Sequence, residues 1–385
     1  MKPALAHEPW TAPRNRRYVL KRQAVVAWAC WLVVVAGAVP GVWGQKKPKP
    51  KKEEITQTLQ LPRDLPGAVV GETRHLTFHV TPLSARGLLS AQVRDALKAL
   101  TRETGGDAVL KIRAFVAGSG DLRRVRDLVS EVFTTRKQPL PTLSLIRAGG
   151  LPLEGAQVVL EAIAATKKEV NPLGLVFLSA PVATSDNPLD PVAPLAAQSL
   201  EGLKRALKTA GSEPSDVVRV TCFLSTLENV SAVRKLVEGD YPAAALNYVQ
   251  TQRSPTRAVG ACEAVARLRV NTGKRLVLQP EGGEPQAALV AAQHVVLTGT
   301  QVSYGYQESD SHLAFERSAK ALEASGVTGR DVVFAHYYPL AAPLAAQVRK
   351  LRGEFFAASA GSLVLFEGLP GMDAGFAVDV VAVKD

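Results

Sequence analysis

The sequence predicts an α+β fold: three tandem β-α-β-α-β-β units that close on one another as an intramolecular pseudo-trimer. Three observations lead there. First, VRDLVSEVF from Val125, VRKLVEGDY from Val233 and VRKLRGEFF from Val348 repeat at offsets of 108 and 115 residues. Second, DAVLKIRAFV from Asp107, DVVRVTCFLS from Asp216 and DVVFAHYYPL from Asp331 repeat upstream of them, at offsets of 109 and 115. Third, strands such as VVRVTCFL are apolar on both faces, whereas two helices per unit cover only one face of a sheet. The bare faces must therefore pack on each other, with clefts between neighbouring units.

Each unit reads alike. A strand comes first: HLTFHV from His75, GLVFLSA from Gly174 and HVVLTGT from His294. A helix follows. In the second unit Ala196, Leu200, Leu203 and Leu207 fall on one face at helical spacing, and in the third Ala314, Ser318, Ala321 and Leu322 do so with smaller residues. Glycine ends these helices, at Gly105-Gly106, Gly211 and Gly326. The Asp-led strand is next, then the helix with the VRxL pattern, then a closing hairpin. In the first unit that hairpin is TLSLIRAGGLPLEGAQVVLEAIA, two apolar runs around a Gly-Gly-Leu-Pro turn. The units span 55–165, 166–272 and 273–385.

The net charge of +11 over 385 residues is concentrated at one end. Residues 1–52 hold eleven Lys or Arg against one acidic residue, which leaves the rest nearly neutral. No basic face interleaved with aromatics is visible, which argues against nucleic-acid binding. Arg14, Arg16, Arg17, Lys21 and Arg22 precede an uncharged run over 24–45, with small residues at Ala36-Gly37-Ala38 and Val42-Trp43-Gly44. Residues 1–44 thus read as an export signal. The stretch Arg16-Arg17-Tyr18-Val19-Leu20-Lys21 resembles a twin-arginine signal. The alternative is an uncleaved anchor over 24–45, a run just long enough to span a membrane. The expected location is periplasmic or otherwise extracytoplasmic, with membrane contact only through an uncleaved N-terminal segment. Residues 45–54 form a Lys/Pro linker. Cys222 and Cys262 read as small core residues, with pairing in an oxidising compartment as the alternative. Neither has a His or Cys at metal-ligand spacing, and no metal or cofactor is expected.

The repeated unit resembles the RidA (YjgF, reactive-intermediate deaminase) family, in three copies over roughly 55–385. The strongest elements are DVVRVTCFL, the segment LPLEGAQVVLEAIA, and VVLTGTQV, which looks like the family's strand ending in Ser-Gly-Gln. The resemblance implies the family's trimer fused into one polypeptide, an architecture also similar to chorismate mutases, and hence a monomeric chain. It implies ligand sites in the clefts between units. It also implies an enamine/imine deaminase of the 2-iminobutanoate/2-iminopropanoate type, releasing ketoacids and ammonia; some members are instead called endoribonucleases or translation inhibitors.

That chemistry uses an arginine clamp for the substrate carboxylate, at the start of the first hairpin strand. It also uses a glutamate on the second strand that helps orient the attacking water. Residue by residue, the arginine positions fall on Leu143, Ala244 and Gly361, and the glutamate positions on Val159, Ala261 and Ala377. All three copies lack both groups. The expectation is a catalytically degenerate or repurposed protein that binds a small metabolite or a partner. The alternative is a deaminase with a substituted cation. Candidate ligand-binding residues are Thr298 and Gly299, which end a strand and offer backbone N–H groups, the hairpin residues Arg147 and Arg257, and His336 and Tyr337 on the third Asp-led strand. Glu161, Glu263 and Asp379 recur at one position in all three copies. Recurrence within one chain points to a shared structural role, such as pairing across the sheet.

Overall fold

The computed structural model describes residues 63–281 and 283–385. The export-signal, anchor and linker readings concern residues 1–54 and lie outside the described residues. Among the described residues no helix is long and apolar enough to cross a membrane.

The first repeat contains β1 (Ala68–Glu72), β2 (Leu76–Val80), α1 (Leu89–Glu103), β3 (Ala108–Ala117), α2 (Leu122–Thr135), β4 (Thr142–Ala148) and β5 (Val158–Ala165). The second contains β6 (Leu175–Leu178), β7 (Val182–Ser185), α3 (Val192–Thr209), β8 (Val217–Leu224), α4 (Val230–Asp240), β9 (Ala245–Gln250) and β10 (Ala258–Arg267); β11 (Arg275–Leu278) and β12 (Ala287–Val290) then lead into the third. The third contains β13 (His294–Thr298), β14 (Gln301–Tyr304), α5 (Glu308–Glu323), β15 (Val332–Pro339), α6 (Ala342–Phe355), β16 (Ala360–Leu363) and β17 (Ala374–Lys384). The expected glycine stops are present: Gly105, Gly106, Gly211 and Gly326 all have positive φ. Behind α1 and α3 the amides of Gly106 and Ser212 return to the carbonyls of Thr101 and Leu207, as in a Schellman cap.

These elements form three mixed sheets, ordered β2-β5-β3-β4, β11-β12-β6-β10-β8-β9 and β1-β13-β17-β15-β16; β7 also pairs with β10, and β14 with β17. The closing hairpin expected in each unit is not a hairpin. β4 runs parallel to β3 on one side, and β5 runs antiparallel to β3 on the other. The Asp-led strand lies between the two runs in all three repeats, because β9 and β10 flank β8 and β16 and β17 flank β15. The helix crossover through α2 makes β4 parallel to β3, and the next loop then carries β5 to the other edge of β3, which leaves β4 at the edge of the sheet.

Sheet membership also crosses the repeats. β1 pairs with β13 of the third repeat over five residue pairs, not with its own β2. β12 pairs with β6 of the second repeat and leads directly into β13. β1 thus forms the edge of the third repeat's sheet, and β12 lies between β11 and β6 in the second's.

Strict alternation divides the Asp-led strands between two environments. In β3, Ile112, Ala114 and Val116 join the core under α1 and α2, and in β8, Val220, Cys222 and Leu224 join the core under α3 and α4. The opposite faces meet between the sheets. One shared apolar cluster contains Phe78, Phe177, Leu297 and Phe334; the other contains Phe115, Phe223, Tyr338 and Phe366. Each draws on all three repeats. The rings of Phe115, Phe223 and Phe366 lie 5.7–6.2 Å apart, within the range of stacked and edge contacts.

Cys222 and Cys262 are not separate core residues but a disulfide. They sit directly opposite each other on β8 and β10, with Cα atoms 4.1 Å apart. The amide of Cys262 donates to Ser199 Oγ on α3. The bond depends on strand register, which a spacing of 40 residues does not disclose. Alkylation of the chain denatured without reductant is expected to leave both cysteines unmodified. Cys262→Ala should lower stability by about 2–4 kcal/mol, read as a fall in the urea midpoint under non-reducing conditions; an unchanged midpoint would contradict a bond in the folded protein.

Candidate functional site

Two features compete as the functional centre: a charged cluster sealed between the sheets, and a solvent-connected cleft between the first and third repeats. The cluster is built from equivalent strand positions. Register places Glu161 opposite Arg113, Glu263 opposite Thr221 and Asp379 opposite His336. All six side chains point away from the helices. The residues ahead of them on the same face are Lys111, Arg219 and Phe334.

Each carboxylate is held by more than one repeat. Glu161 accepts from Arg113 Nε (2.8 Å), Thr221 Oγ1 (2.7 Å) and Asn247 Nδ2 (2.6 Å), with Arg219 Nη1 at 3.4 Å. Glu263 accepts from Arg113 Nη2 (2.6 Å) and Arg219 Nη2 (2.9 Å). Asp379 pairs with Lys111 and accepts from Ser144 Oγ (2.7 Å) and Tyr338 OH (2.8 Å). His336 lies between the last two, with Nδ1 3.1 Å from Asp379 Oδ1 and Nε2 3.2 Å from Glu263 Oε1. All seven ionisable residues, Lys111, Arg113, Arg219, His336 and the three acids, are buried.

Burial by itself would raise all three carboxyl pKa values. For Glu161, Arg113 and Arg219 overcome it and bring the value down. For Glu263, Arg113 and His336 hold it well below the usual range, and for Asp379, Lys111 and His336 do the same. Three carboxylates therefore face Lys111, Arg113 and Arg219. Among the described residues, Arg113 Nη1, Arg219 Nε and Glu263 Oε2 have no hydrogen-bond partner. The recurrent acids do pair, and mostly between repeats rather than within one sheet. The missed partners carried a signal: Lys111, Arg113 and Arg219 are cations inside strands with no solvent face.

The cleft is a cavity of about 470 Å³ between β4 and the β13–β14 turn. Leu143, Leu145 and Val302 make it apolar, Arg123 and Arg126 supply two cations against the one carboxylate of Asp127, and Tyr304 and Gln301 supply polar groups. Gly299 crosses Leu143 so closely that a Cβ would lie 2.8 Å from its carbonyl oxygen, and the Thr300 amide donates to that oxygen at 3.2 Å. The corresponding contact between the second and third repeats is closed by direct hydrogen bonds. Gly361 N donates to Ser179 Oγ (2.9 Å), and Ala180 N donates to Ser362 Oγ (3.0 Å).

The sequence-derived positions fall as follows. Leu143 and Gly361 occupy equivalent register positions, beside Ile112 and Ala335, but the matching residue in the second repeat is Leu246 beside Val220. Ala244 lies two residues earlier, so the assignment to Ala244 is corrected to Leu246, which also lacks a cation. Val159, Ala261 and Ala377 stand opposite Phe115, Phe223 and Tyr338 and are buried in the shared aromatic cluster. Gly299 lines the cleft, while Thr298 Oγ1 is turned to β17, where it accepts from Val380 N at 2.9 Å. Arg147 donates to the carbonyls of Gly118 (2.8 Å) and Gly120 (3.2 Å) beside a separate cavity. Arg257 is exposed just before β10. His336 belongs to the ionic cluster. Tyr337 points the opposite way, onto Phe315, and burial pushes its phenol up to about 12. The candidates are therefore not brought together into one site.

No family model matches the chain, and no curated protein does. Solved structures do match. A YjgF/YER057c/UK114-family protein from Mycobacterium tuberculosis is 18% identical, covering 29% of this chain and 99% of its own, with a TM-score of 0.23. A conserved Rid-family protein from Yersinia pestis is 15% identical, covering 29% and 100%, with a TM-score of 0.26. TdcF from Escherichia coli, with serine bound, is 18% identical, covering 24% of this chain and 81% of its own, with a TM-score of 0.21. All three are RidA/YjgF/UK114-family structures, each covering about a quarter of this chain.

Two measurements check the cluster. Arg113→Met leaves Glu161 and Glu263 short of a cation and should cost on the order of 3–5 kcal/mol in urea unfolding. The acids titrate lower in the folded protein than in the unfolded chain, whose value is about 4. Their stabilisation is complete above that value and is lost as pH falls through the folded values. The urea midpoint should therefore drop between about pH 5 and about pH 3, and Glu263→Gln should make that drop shallower; an equally steep drop would show that Glu263 does not contribute.

Proposed function

We propose that this chain is a RidA-like protein whose three repeats form the family's trimer within one polypeptide, and that it is catalytically silent. It works after export and holds a small metabolite in the cleft between the first and third repeats. The carrying observation is the register. The residues beside Ile112, Val220 and Ala335, where the family's clamp arginine would stand, are Leu143, Leu246 and Gly361. The glutamate positions carry Val159, Ala261 and Ala377, inside an aromatic cluster. A charge-assisted hydrogen bond of about 1.5–3 kcal/mol is thereby missing from substrate binding, and positioning of the attacking water is lost as well. The buried Cys222–Cys262 disulfide favours an oxidising compartment.

A second reading, residual imine hydrolysis, is favoured by one observation: Arg123 and Arg126 stand at the cleft and are cations from a helix rather than a strand. Turnover of 2-iminobutanoate made in situ separates the two. The silent reading expects no ammonia release above a heat-killed control. Turnover that disappears in Arg123→Ala would replace it with the second reading. The single-chain trimer makes a separate prediction: light scattering of the exported protein should give the mass of one chain, and a stable trimer of chains would contradict closure.

A further inference from the structure

One wall of the cleft belongs to neither neighbouring sheet. It is Leu65-Pro66-Gly67, immediately ahead of β1. The chain from Arg63 to Gly67 runs from α2 of the first repeat to β13 of the third. At α2, Ser130 Oγ donates to the Arg63 carbonyl (2.7 Å), Arg63 Nε donates to Thr134 Oγ1 (3.2 Å), and Arg126 pairs with Asp64 (3.1 Å). Leu65 packs against the core under α1 and α2. At the far end the Gly299 amide donates to the Gly67 carbonyl at 3.0 Å, and β1 continues along β13.

The two ends are fastened unequally. Beyond Gly67 the chain is held by a backbone ladder of five residue pairs. At α2 it is held by no strand ladder but by one hydrogen bond from buried Ser130, the packing of half-buried Leu65, and an exposed ion pair in which Arg126 is 54% exposed and Asp64 98%. Exposed ion pairs are weak and screened by salt. Segments with such fastenings open locally while the rest of the fold stays intact. Arg126 has a double position, because it both lines the cleft and holds Asp64.

We propose that Arg63–Gly67 is a strap over the cleft and that the Asp64 carboxylate stands in on Arg126 for the anionic group of a ligand. The inference rests on the reading of this cleft as a ligand site. When the strap lifts about Gly67, Arg126 exchanges one carboxylate for another anion, and the ligand's apolar body lies on Leu143 and Leu145. The ligand class is an apolar anion, and access to the cleft is set by competition between strap and ligand.

The test uses the full-length chain and 8-anilinonaphthalene-1-sulfonate, an apolar anion, with tryptic cleavage after Arg63 as an independent readout of the strap. Asp64→Ala frees the strap and leaves Arg126 unpaired. It should tighten dye binding at least fivefold, with an unchanged urea midpoint. Arg126→Ala also frees the strap but removes the cation, and it leaves the sequence around the Arg63–Asp64 bond unchanged. It should speed cleavage after Arg63 without the gain in dye binding. Unchanged cleavage in Arg126→Ala overturns the strap and leaves the cleft reading standing. Faster cleavage in Arg126→Ala without tighter dye binding in Asp64→Ala overturns the anion exchange and counts against the cleft as a ligand site. An equal dye gain in both variants overturns the role of Arg126.

Discussion

Charge burial between the three sheets is the constraint on which the rest of the structure depends. Glu161, Glu263 and Asp379 lie in a space without solvent, where an unpaired carboxylate costs several kcal/mol. Each must stay within reach of Lys111, Arg113, Arg219 or His336, and most of those partners come from another repeat. The sheets therefore have little freedom to slide. A shift of one residue along β3 would turn Lys111 and Arg113 into the helix-side core and bring Ile112 against the acids. Apolar packing alone tolerates such rearrangements far better than a set of matched charges does.

The same arrangement fills the positions two residues before each acid with apolar side chains. On β5, β10 and β17 the residue two before each acid faces the same interior, so Val159, Ala261 and Ala377 are drawn into the aromatic cluster of Phe115, Phe223 and Tyr338. A glutamate there would add another buried carboxylate beside three already paired. The strand that offers Leu143 is different, because its neighbour is the β13–β14 turn and the space left open is the cleft. Polar and charged groups reach that space from α2 and from the turn, not from β4. Any binding there would draw on residues outside the motif that identifies the fold.

The exchanged leading strands matter for the same reason. β1 lies on β13, and β12 lies on β6 while leading into the third repeat. Each removes a sheet edge that would otherwise be left bare, and each ties one repeat to another through backbone hydrogen bonds. For β1 this has a consequence at the cleft, since the chain must cross it to arrive. Fold closure and access to the cavity are thus linked by one stretch of ten residues, 63–72.

The sequence by itself determined the repeated plan. Spacing of the VRxL helices and Asp-led strands located the repeated order of elements, and glycine marked helix ends. Two-sided apolar strands also announced that the sheets would bury their second faces. Only the tertiary structure decided which strands pair. The two runs of the apparent hairpin flank β3, the disulfide joins residues 40 apart through register, and Leu246 replaces Ala244 as the equivalent of Leu143. The recurrence of Glu161, Glu263 and Asp379 was legible, but their partners were not, because a residue's charge is local information and the identity of its neighbour across a sheet interface is not. Periodicity reports which face of a strand is buried; what it is buried against follows from how the whole chain closes.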